Sequence, residues 1–266
     1  MDTNTGTLAR VVTNGVAEVG LVVRDLDVTR AFYRDVIGLE VIARSGNAAR
    51  LGAGGVPILD LAHRPDALPD DPREAGLFHT AFLMPSRAAL ADWLAHATER
   101  RIPLDGASDH GVSEAIYLSD PEGNGIEVYA DRPRDRWTWE GDQIRMSTER
   151  LDLDALLADR SGRPWTGAPA DARIGHVHLR VGDIAAATRF WTETVGLDVV
   201  RAGNGAVFLS TGRYHHHVAC NVWNSRGAGR RNPDRAGLSY VAMHATGERD
   251  AIEDPWGTRI AFQSAS

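Results

Sequence analysis

The chain has 266 residues, of which 43% are hydrophobic and 24% charged, as is typical of one large or two ordinary globular domains. The formal net charge of -7 argues against nucleic acid or an anionic membrane as a partner, and no apolar run approaches the ~18 residues of a membrane-spanning helix. Because Cys220 is the only cysteine, an internal disulfide and a cysteine-based zinc site are excluded, and we expect a cytoplasmic protein.

The N-terminal part of the chain predicts a β-α-β-β-β unit. Residues 1–14 form a polar tail without the apolar core of a signal peptide. Residues 16–23 are strand-like, and Asp25 then begins an amphipathic helix that ends at Gly38. Three further strands follow and end at Ala62.

The same pattern begins again after a linker rich in Pro and Asp, residues 64–76. Residues 77–84 predict a strand, Ser86 caps a helix, and residues 102–129 contain strand-like segments. Residues 15–132 therefore form a first domain of two such units, which we expect to be the active half.

A connecting segment, residues 133–172, differs in character from the units around it. It is charged, and it carries Trp137, Trp139 and Trp165 among Pro and Gly, with one helical piece from Leu151 to Ala158. We expect this segment to pack on the surface of the protein through its tryptophans.

The second half of the chain, residues 173–266, repeats the first. The segment from Ile174 aligns with the first unit at a constant offset of 158, so strand, helix and terminal glycine recur in register. The coinciding residues include Val23/Val181, Asp25/Asp183, Phe32/Phe190 and Gly38/Gly196. A fourth unit begins at Leu238 and lacks 27 residues, including the helix, by comparison with the second unit.

One carboxylate stands out in the stretch YLSDPEGNGIEVY, residues 117–129. The turn DPEGNG connects two strand-like ends, and Glu127 lies between Ile126 and Val128 in an apolar strand. A carboxylate directed toward a core needs a partner, and a metal ion is one such partner. The alternative is an edge strand on which Glu127 faces water.

Four stretches carry a family resemblance: VRDLDVTRAFYRDVIGLEV, LFHTAFLMPSRAALADWLAHATERRIPL, GASDHGVSEAIYLSDPEGNGIEVYADRP and IGHVHLRVGDI. The sequence resembles the vicinal oxygen chelate superfamily, which includes glyoxalase I, extradiol dioxygenases, epimerases and drug-resistance proteins, and is most similar to the two-half catechol 2,3-dioxygenase-like group. The resemblance implies an α+β fold of tandem βαβββ modules that form cupped mixed sheets around a metal. The fold alone does not define the reaction.

The resemblance also implies metal ligands in the first half. His79 and Glu127 match the ligand positions of the family, whereas Glu18 stands where the family has another histidine, and Asp60 lies near a fourth ligand position. Two histidines and a carboxylate suit iron(II), while one histidine with several carboxylates suits Mn²⁺, Ni²⁺ or Zn²⁺. We expect a divalent metal, with Fe²⁺ favoured. Alternatively, Glu18 and Asp60 are solvated strand residues.

Three residues near these ligands are candidate catalytic groups by the same resemblance. His110 resembles the acid/base histidine of ring-cleaving relatives, Tyr117 resembles their substrate-oxygen tyrosine, and Ser113 lies between the two. A histidine with a pKa near neutrality takes up and returns a proton readily. The alternative for His110 is an ordinary loop histidine.

The second half is expected to be degenerate. His176 stands at the ligand position of its first strand, but Tyr240 and Ala261 replace the second histidine and the carboxylate. His176 with His215 and His217 could form a secondary metal site. We favour hydrogen-bonded structural histidines instead.

The favoured function is extradiol cleavage of a small catechol-like aromatic by a metal-dependent dioxygenase. The first alternative is a glyoxalase- or epimerase-type lyase or isomerase, in which the metal acts as a Lewis acid on an enediolate. The second alternative is a non-catalytic protein that binds a small molecule such as a drug. The expected partners are a small-molecule substrate and a second copy of the chain in a homodimer.

Overall fold

The computed structural model describes residues 13–264 and contains the repeated units that the sequence predicts. The first unit comprises β1 (Thr13–Val23), α1 (Leu26–Phe32) with a π-helical turn (Tyr33–Ile37), β2 (Glu40–Arg44), β3 (Ala48–Ala53) and β4 (Val56–His63). The second comprises β5 (Gly76–Leu83), α2 (Arg87–Glu99), β6 (Gly106–Asp109), β7 (Ser113–Ser119) and β8 (Gly125–Asp131). Most of the predicted tail lies outside the described residues, and β1 already begins at Thr13.

The connecting segment and the second half follow in order. The segment holds a 3₁₀ turn (Arg134–Arg136), β9 (Trp139–Glu140), β10 (Gln143–Ile144), β11 (Glu149–Arg150) and α3 (Leu153–Ala158). The third unit comprises β12 (Arg173–Arg180), α4 (Ile184–Arg189) with a π-helical turn (Phe190–Val195), β13 (Asp198–Gly203), β14 (Ala206–Ser210) and β15 (Val218–Asn221). The shortened fourth unit comprises β16 (Gly237–Ala245), β17 (Ile252–Glu253) and β18 (Arg259–Ser264).

The helix boundaries follow local sequence signals. The side chain of Asp25 accepts a hydrogen bond from a backbone amide of the first turn of α1, and Ser86 and Asp183 do the same for α2 and α4. Gly38 and Gly196 end the helical segments of the first and third units with φ of 88° and 94°, a conformation that glycine adopts at little cost. The residues that begin and end the helical segments are thus part of the repeat detected in the sequence.

The four units pair across the two halves of the chain. The seven-stranded sheet has the order β17-β18-β16-β1-β4-β3-β2, and the nine-stranded sheet has the order β11-β6-β7-β8-β5-β12-β15-β14-β13. The first unit therefore shares a sheet with the fourth, and the second shares one with the third. This differs from the expected cup within the first half, because β5 pairs antiparallel with β12 and β1 with β16.

A continuous hydrophobic core connects the units of each half. The indole of Trp93 on α2 donates a hydrogen bond to the carbonyl of Val36 at 2.9 Å, and His96 contacts the carbonyl of Asp35 at 2.9 Å. These bonds join the helix of the second unit to the helical segment of the first. The first and second units thus pack through their helices, while their strands pair with units of the other half.

The connecting segment packs through its tryptophans, as expected. Trp137 is buried in a small cluster with Tyr214, and Trp165 lies 5.6 Å from the ring of His96. The segment also adds β11 to the edge of the nine-stranded sheet. Across residues 13–264, no helix has the length and apolar character needed to span a membrane.

Candidate metal centre and active site

Three potential metal ligands converge on adjacent strands of the nine-stranded sheet. His79 lies on β5, Glu127 on β8 and His176 on β12, and these three strands are neighbours in the order β8-β5-β12. Nε2 of His79 lies 3.1 Å from Oε2 of Glu127, Nε2 of His176 lies 3.3 Å from the same oxygen, and the two Nε2 atoms are 3.4 Å apart. Within the described residues, this is the one group of three or more potential ligands that faces a common point.

The protonation states of this cluster suit a cation. Burial opposes ionisation of Glu127, but the imidazoles of His176 and His79 outweigh it and hold the pKa of the carboxyl well below its usual range. Burial lowers the pKa of His176 to about 4. An ionised carboxylate and neutral imidazoles are the forms that bind metals, and two histidines with one carboxylate are the donor set of iron(II) oxygenases. The residues therefore fit a divalent metal ion.

Glu18 and Asp60 do not belong to this cluster, which corrects the predicted four-residue set. Both lie in the seven-stranded sheet, where Arg50 donates to both carboxylate oxygens of Glu18 at 2.7 to 3.0 Å. The hydroxyl of Tyr240 donates to Asp60 at 3.2 Å. An arginine thus occupies the position opposite Glu18 that a cation would need. The prediction failed because it assigned the first and second units to one cup.

His176 takes the position that the sequence analysis gave to Glu18. It aligns with Glu18 at the repeat offset of 158, and it was interpreted as a remnant of a degenerate half. Its strand pairs with β5, where His178 stands opposite His79. The alignment itself contained the signal, since His176 is the one histidine at a ligand position on the first strand of the second half.

His110 and Tyr117 lie beside the cluster and contact each other. Nδ1 of His110 donates to the carbonyl of Ser147 at 2.8 Å, and its Nε2 lies 2.7 Å from the Tyr117 hydroxyl, within hydrogen-bond distance. Burial and the charge of Glu127 raise the pKa of Tyr117 far above its usual value. Ser113 lies at the start of β7 and lines the same cavity. All three predicted residues therefore line the same cavity. Ser113 takes no part in the contact between His110 and Tyr117.

A chain of side chains leads to His216, a cavity residue that the sequence analysis missed. Nε2 of His215 donates to Oδ1 of Asp131 at 2.9 Å, and its Nδ1 lies 2.8 Å from Nδ1 of His216. In the neutral form of His215, Nδ1 accepts from His216, and Nε2 of His216 is left as an acceptor. The ring of His216 lies 4.1 Å from that of His176, between centroids, and burial lowers its pKa well below the usual value. His216 is therefore a neutral imidazole.

His178 offers a hydrogen-bond donor, whereas His216 offers an acceptor. The backbone amide of Trp223 donates to Oδ1 of Asn221 at 3.2 Å, so the amide nitrogen of Asn221 donates to Nε2 of His178 at 3.0 Å. Burial holds the pKa of His178 well below its usual value, which leaves a neutral ring with its hydrogen on Nδ1. His178 lines the cavity and packs 5.0 Å from the ring of His79.

These residues line a cavity of about 670 Å³, a size suited to a small molecule. Its wall combines the histidine- and tyrosine-rich floor with three aromatic side chains, Phe78, Phe208 and Trp223, and with Arg201. Trp223 is 51% exposed and lies 5.3 Å from the rings of both Phe78 and His178. The polar groups thus concentrate at one end of the cavity, and an aromatic surface leads outward from them.

The fold and this site agree with the family to which the chain is assigned. The chain belongs to the Glyoxalase/Bleomycin resistance protein/Dioxygenase superfamily, whose model matches residues 15–128 and 173–245. His79 and Glu127 lie within the first matched range, and His176 lies within the second.

Particular relatives narrow this assignment. The chain is 42% identical over 229 residues to a catechol-2,3-dioxygenase of Bacillus subtilis (strain 168), with 84% of this chain and 80% of that protein aligned. It is 26% identical over 184 residues to a metapyrocatechase of Geobacillus stearothermophilus, covering 68% of this chain and 50% of that protein. The fold is also similar to glyoxalase I from Zea mays, with a TM-score of 0.55 at 13% identity and coverage of 94% and 92%.

Proposed function

We propose that this protein is an extradiol dioxygenase that cleaves a small catechol-like aromatic, with iron(II) held by His79, Glu127 and His176. The observation that carries the proposal is the convergence of two imidazole nitrogens and one carboxylate oxygen within 3.1 to 3.4 Å of one another. The relatives named as catechol-2,3-dioxygenase and metapyrocatechase support this activity over the alternatives.

The bound iron would supply the redox chemistry that activates O₂ and the Lewis acidity that makes catechol hydroxyls more acidic. The cluster offers three protein ligands, which leaves coordination positions for small molecules, as the two-histidine, one-carboxylate donor set does in iron oxygenases. The proposal does not use Glu18 or Asp60.

Proton handling falls to His110 and Tyr117. The Ser147 carbonyl holds Nδ1 of His110, so Nε2 is positioned to take a proton from a substrate hydroxyl that displaces its contact with Tyr117. Tyr117 keeps its proton because its pKa is raised, and it therefore acts as a hydrogen-bond donor. We expect Ser113 to contribute to the cavity wall near this pair.

Two further histidines give the opposite side of the cavity a defined polarity. Nε2 of His216 is an acceptor, fixed by the contacts of its ring with His215 and of His215 with Asp131. Nδ1 of His178 is a donor, fixed by Asn221. The acceptor of His216 can therefore bind a substrate hydroxyl, and the donor of His178 can bind a developing negative charge. Neither requires rearrangement of the protein.

Elemental analysis of protein purified without added metal tests the proposal first, together with His176→Ala and Glu18→Gln. We expect near-stoichiometric iron in the wild type and in Glu18→Gln, and loss of iron in His176→Ala. The wild type should also form the yellow ring-cleavage product from catechols in air, and it should form none without O₂. Full activity without O₂, or iron retained in His176→Ala, would contradict the proposal.

The proposal extends to the setting of the protein. We infer a cytoplasmic homodimer from the sequence composition and from the free edges at β2 and β13 of the two sheets. Light scattering coupled to size-exclusion chromatography measures the mass directly. A mass near 28.8 kDa would show a monomer and contradict this part.

A further inference from the structure

Arg201 is the permanent cation among the described residues that line the cavity. It lies on β13, half-buried, next to the exposed residues Ala202, Gly203 and Asn204 at the cavity rim. The remaining basic side chains of the lining are histidines. Arg201 therefore supplies a fixed positive charge at the rim of the cavity.

The Arg201 guanidinium also lacks an anionic partner among the described residues. Its one hydrogen bond joins Nη1 to the carbonyl of Ile144 at 3.4 Å, and no described carboxylate lies within the 4.0 Å of an ion pair. Other half-buried arginines have such partners, as in the pairs Arg132–Asp109 and Arg235–Glu74. Desolvating a charge is costly unless a partner compensates, so most of the five N–H donors of Arg201 are available to a ligand.

The position of Arg201 relative to the metal centre is defined by three packed residues. Arg201 stands opposite Phe208 in the pairing of β13 with β14, so the two side chains lie on the same face. The ring of Phe208 lies 5.1 Å from that of His216, which lies 4.1 Å from that of His176. His216 and Phe208 therefore connect the cluster to Arg201 through packed side chains. Trp223 is the exposed aromatic residue of the same cavity.

We propose that Arg201 binds an acidic substituent of the substrate, so that the preferred substrate is a catechol with a carboxylate at the ring end opposite its hydroxyls. This inference rests on the proposed function for the catechol part and adds the substituent. The hydroxyls lie at the His79, Glu127 and His176 end, the ring lies along Phe208, and the carboxylate receives a charge-assisted bidentate bond from the guanidinium.

The test compares 3,4-dihydroxyphenylacetate with its methyl ester, which has the same ring and no charge. Two quantities are measured for each compound: kcat/KM in air, and Kd by calorimetry without O₂, which does not depend on turnover. We expect the wild type to favour the acid over the ester by about 10- to 100-fold, because the uncharged ester cannot form the charge-assisted bond with Arg201. In Arg201→Gln the preference should vanish through loss on the acid alone.

Arg249→Gln is the matched control. Arg249 is half-buried and has no carboxylate partner within 4.0 Å among residues 13–264, but it lies over Phe262 at 4.7 Å and outside the cavity. Its substitution should leave the acid preference unchanged, and Arg201→Lys should restore part of it. Increased salt should weaken binding of the acid and not of the ester.

The outcomes separate this inference from the proposed function. Cleavage of both compounds with equal kcat/KM and equal Kd would overturn the role of Arg201 and leave the dioxygenase activity standing. Absence of cleavage, together with tighter binding of the acid that depends on Arg201, would support the anion site and overturn the proposed reaction. Equal losses on acid and ester in Arg201→Gln would also overturn the inference, since they would indicate a structural role.

Discussion

Two carboxylates with the same burial have different partners in this protein. Glu18 and Glu127 are each 2% exposed and each lies on a strand of a cupped sheet. Arg50 compensates the first with two hydrogen-bonding nitrogens, whereas two histidines face the second. A buried carboxylate that meets imidazoles remains available to a cation, and one that meets a guanidinium does not.

The Glu18–Arg50 pair predicts a stability effect without a metal effect. In Arg50→Leu the carboxylate of Glu18 remains buried without its main partner, so we expect a loss of about 1–3 kcal/mol in the free energy of unfolding, less than for a fully buried pair because Arg50 is half-exposed. Denaturant titration measures it. The double variant Glu18→Leu/Arg50→Leu should recover most of the loss, and a stable Arg50→Leu would contradict this account.

His110 provides a prediction about rate. Replacement by Ala removes a hydrogen-bond partner of the Tyr117 hydroxyl, and we expect kcat to fall about 10²- to 10⁴-fold, as for loss of a general acid–base residue, with iron content unchanged. Steady-state kinetics and elemental analysis measure the two quantities. His244→Ala, in the seven-stranded sheet, is the matched control and should keep wild-type kcat. Loss of iron in His110→Ala would instead indicate a structural role.

At the scale of the element, the backbone of β12 is irregular just before the candidate ligand His176. The pairing of β12 with β5 shifts register between Ile174 and His176, and such a bulge redirects the following side chain. Gly175 lies in this bulge. A Cβ there would lie 1.7 Å from the hydroxyl of Tyr129, so the close approach of these groups requires glycine.

Gly175→Ala should therefore be destabilising. The added methyl group forces Tyr129 or the strand to move, and we expect a loss of about 1–3 kcal/mol of unfolding free energy together with weaker iron retention. Thermal unfolding and elemental analysis measure both. Gly46→Ala, where a Cβ meets nothing within 4 Å, is the control. Tyr129→Phe should relieve part of the clash in the double variant, and additive losses would contradict this explanation.

The strands and helices were predictable from the sequence, but the pairing between units was not. Caps, helices and strand order within each unit were predictable because they depend on neighbouring residues such as Asp25 and Gly38. The partner of each unit was not, because β1 and β12 carry nearly the same pattern and either could pair with β5. His79 and Glu127 were therefore found as a pair, while His176 was not joined to them. The tautomers of His178 and His216 depend on bonds between distant segments.

At the scale of the whole molecule, neither half contains the complete cluster. Residues 15–132 hold His79 and Glu127, and residues 173–266 hold His176. We expect residues 1–132 and residues 133–266, expressed separately, to retain no stoichiometric iron, whereas co-expression of the two fragments should restore it in a complex. Elemental analysis after co-purification measures this. Stoichiometric iron in the first fragment alone would contradict the pairing of β5 with β12 as the basis of the site.

The crossed pairing of the units also bears on how the protein is made. A nascent chain leaves the ribosome N-terminus first, so β1 and β5 emerge long before the strands that they pair with, β16 and β12. Until then each of these strands has an unpaired edge, and Glu18 on β1 and His79 on β5 lie on strands that still lack their partners. The three candidate ligands therefore come together only after β12 has emerged, so we expect metal binding to follow synthesis of the second half.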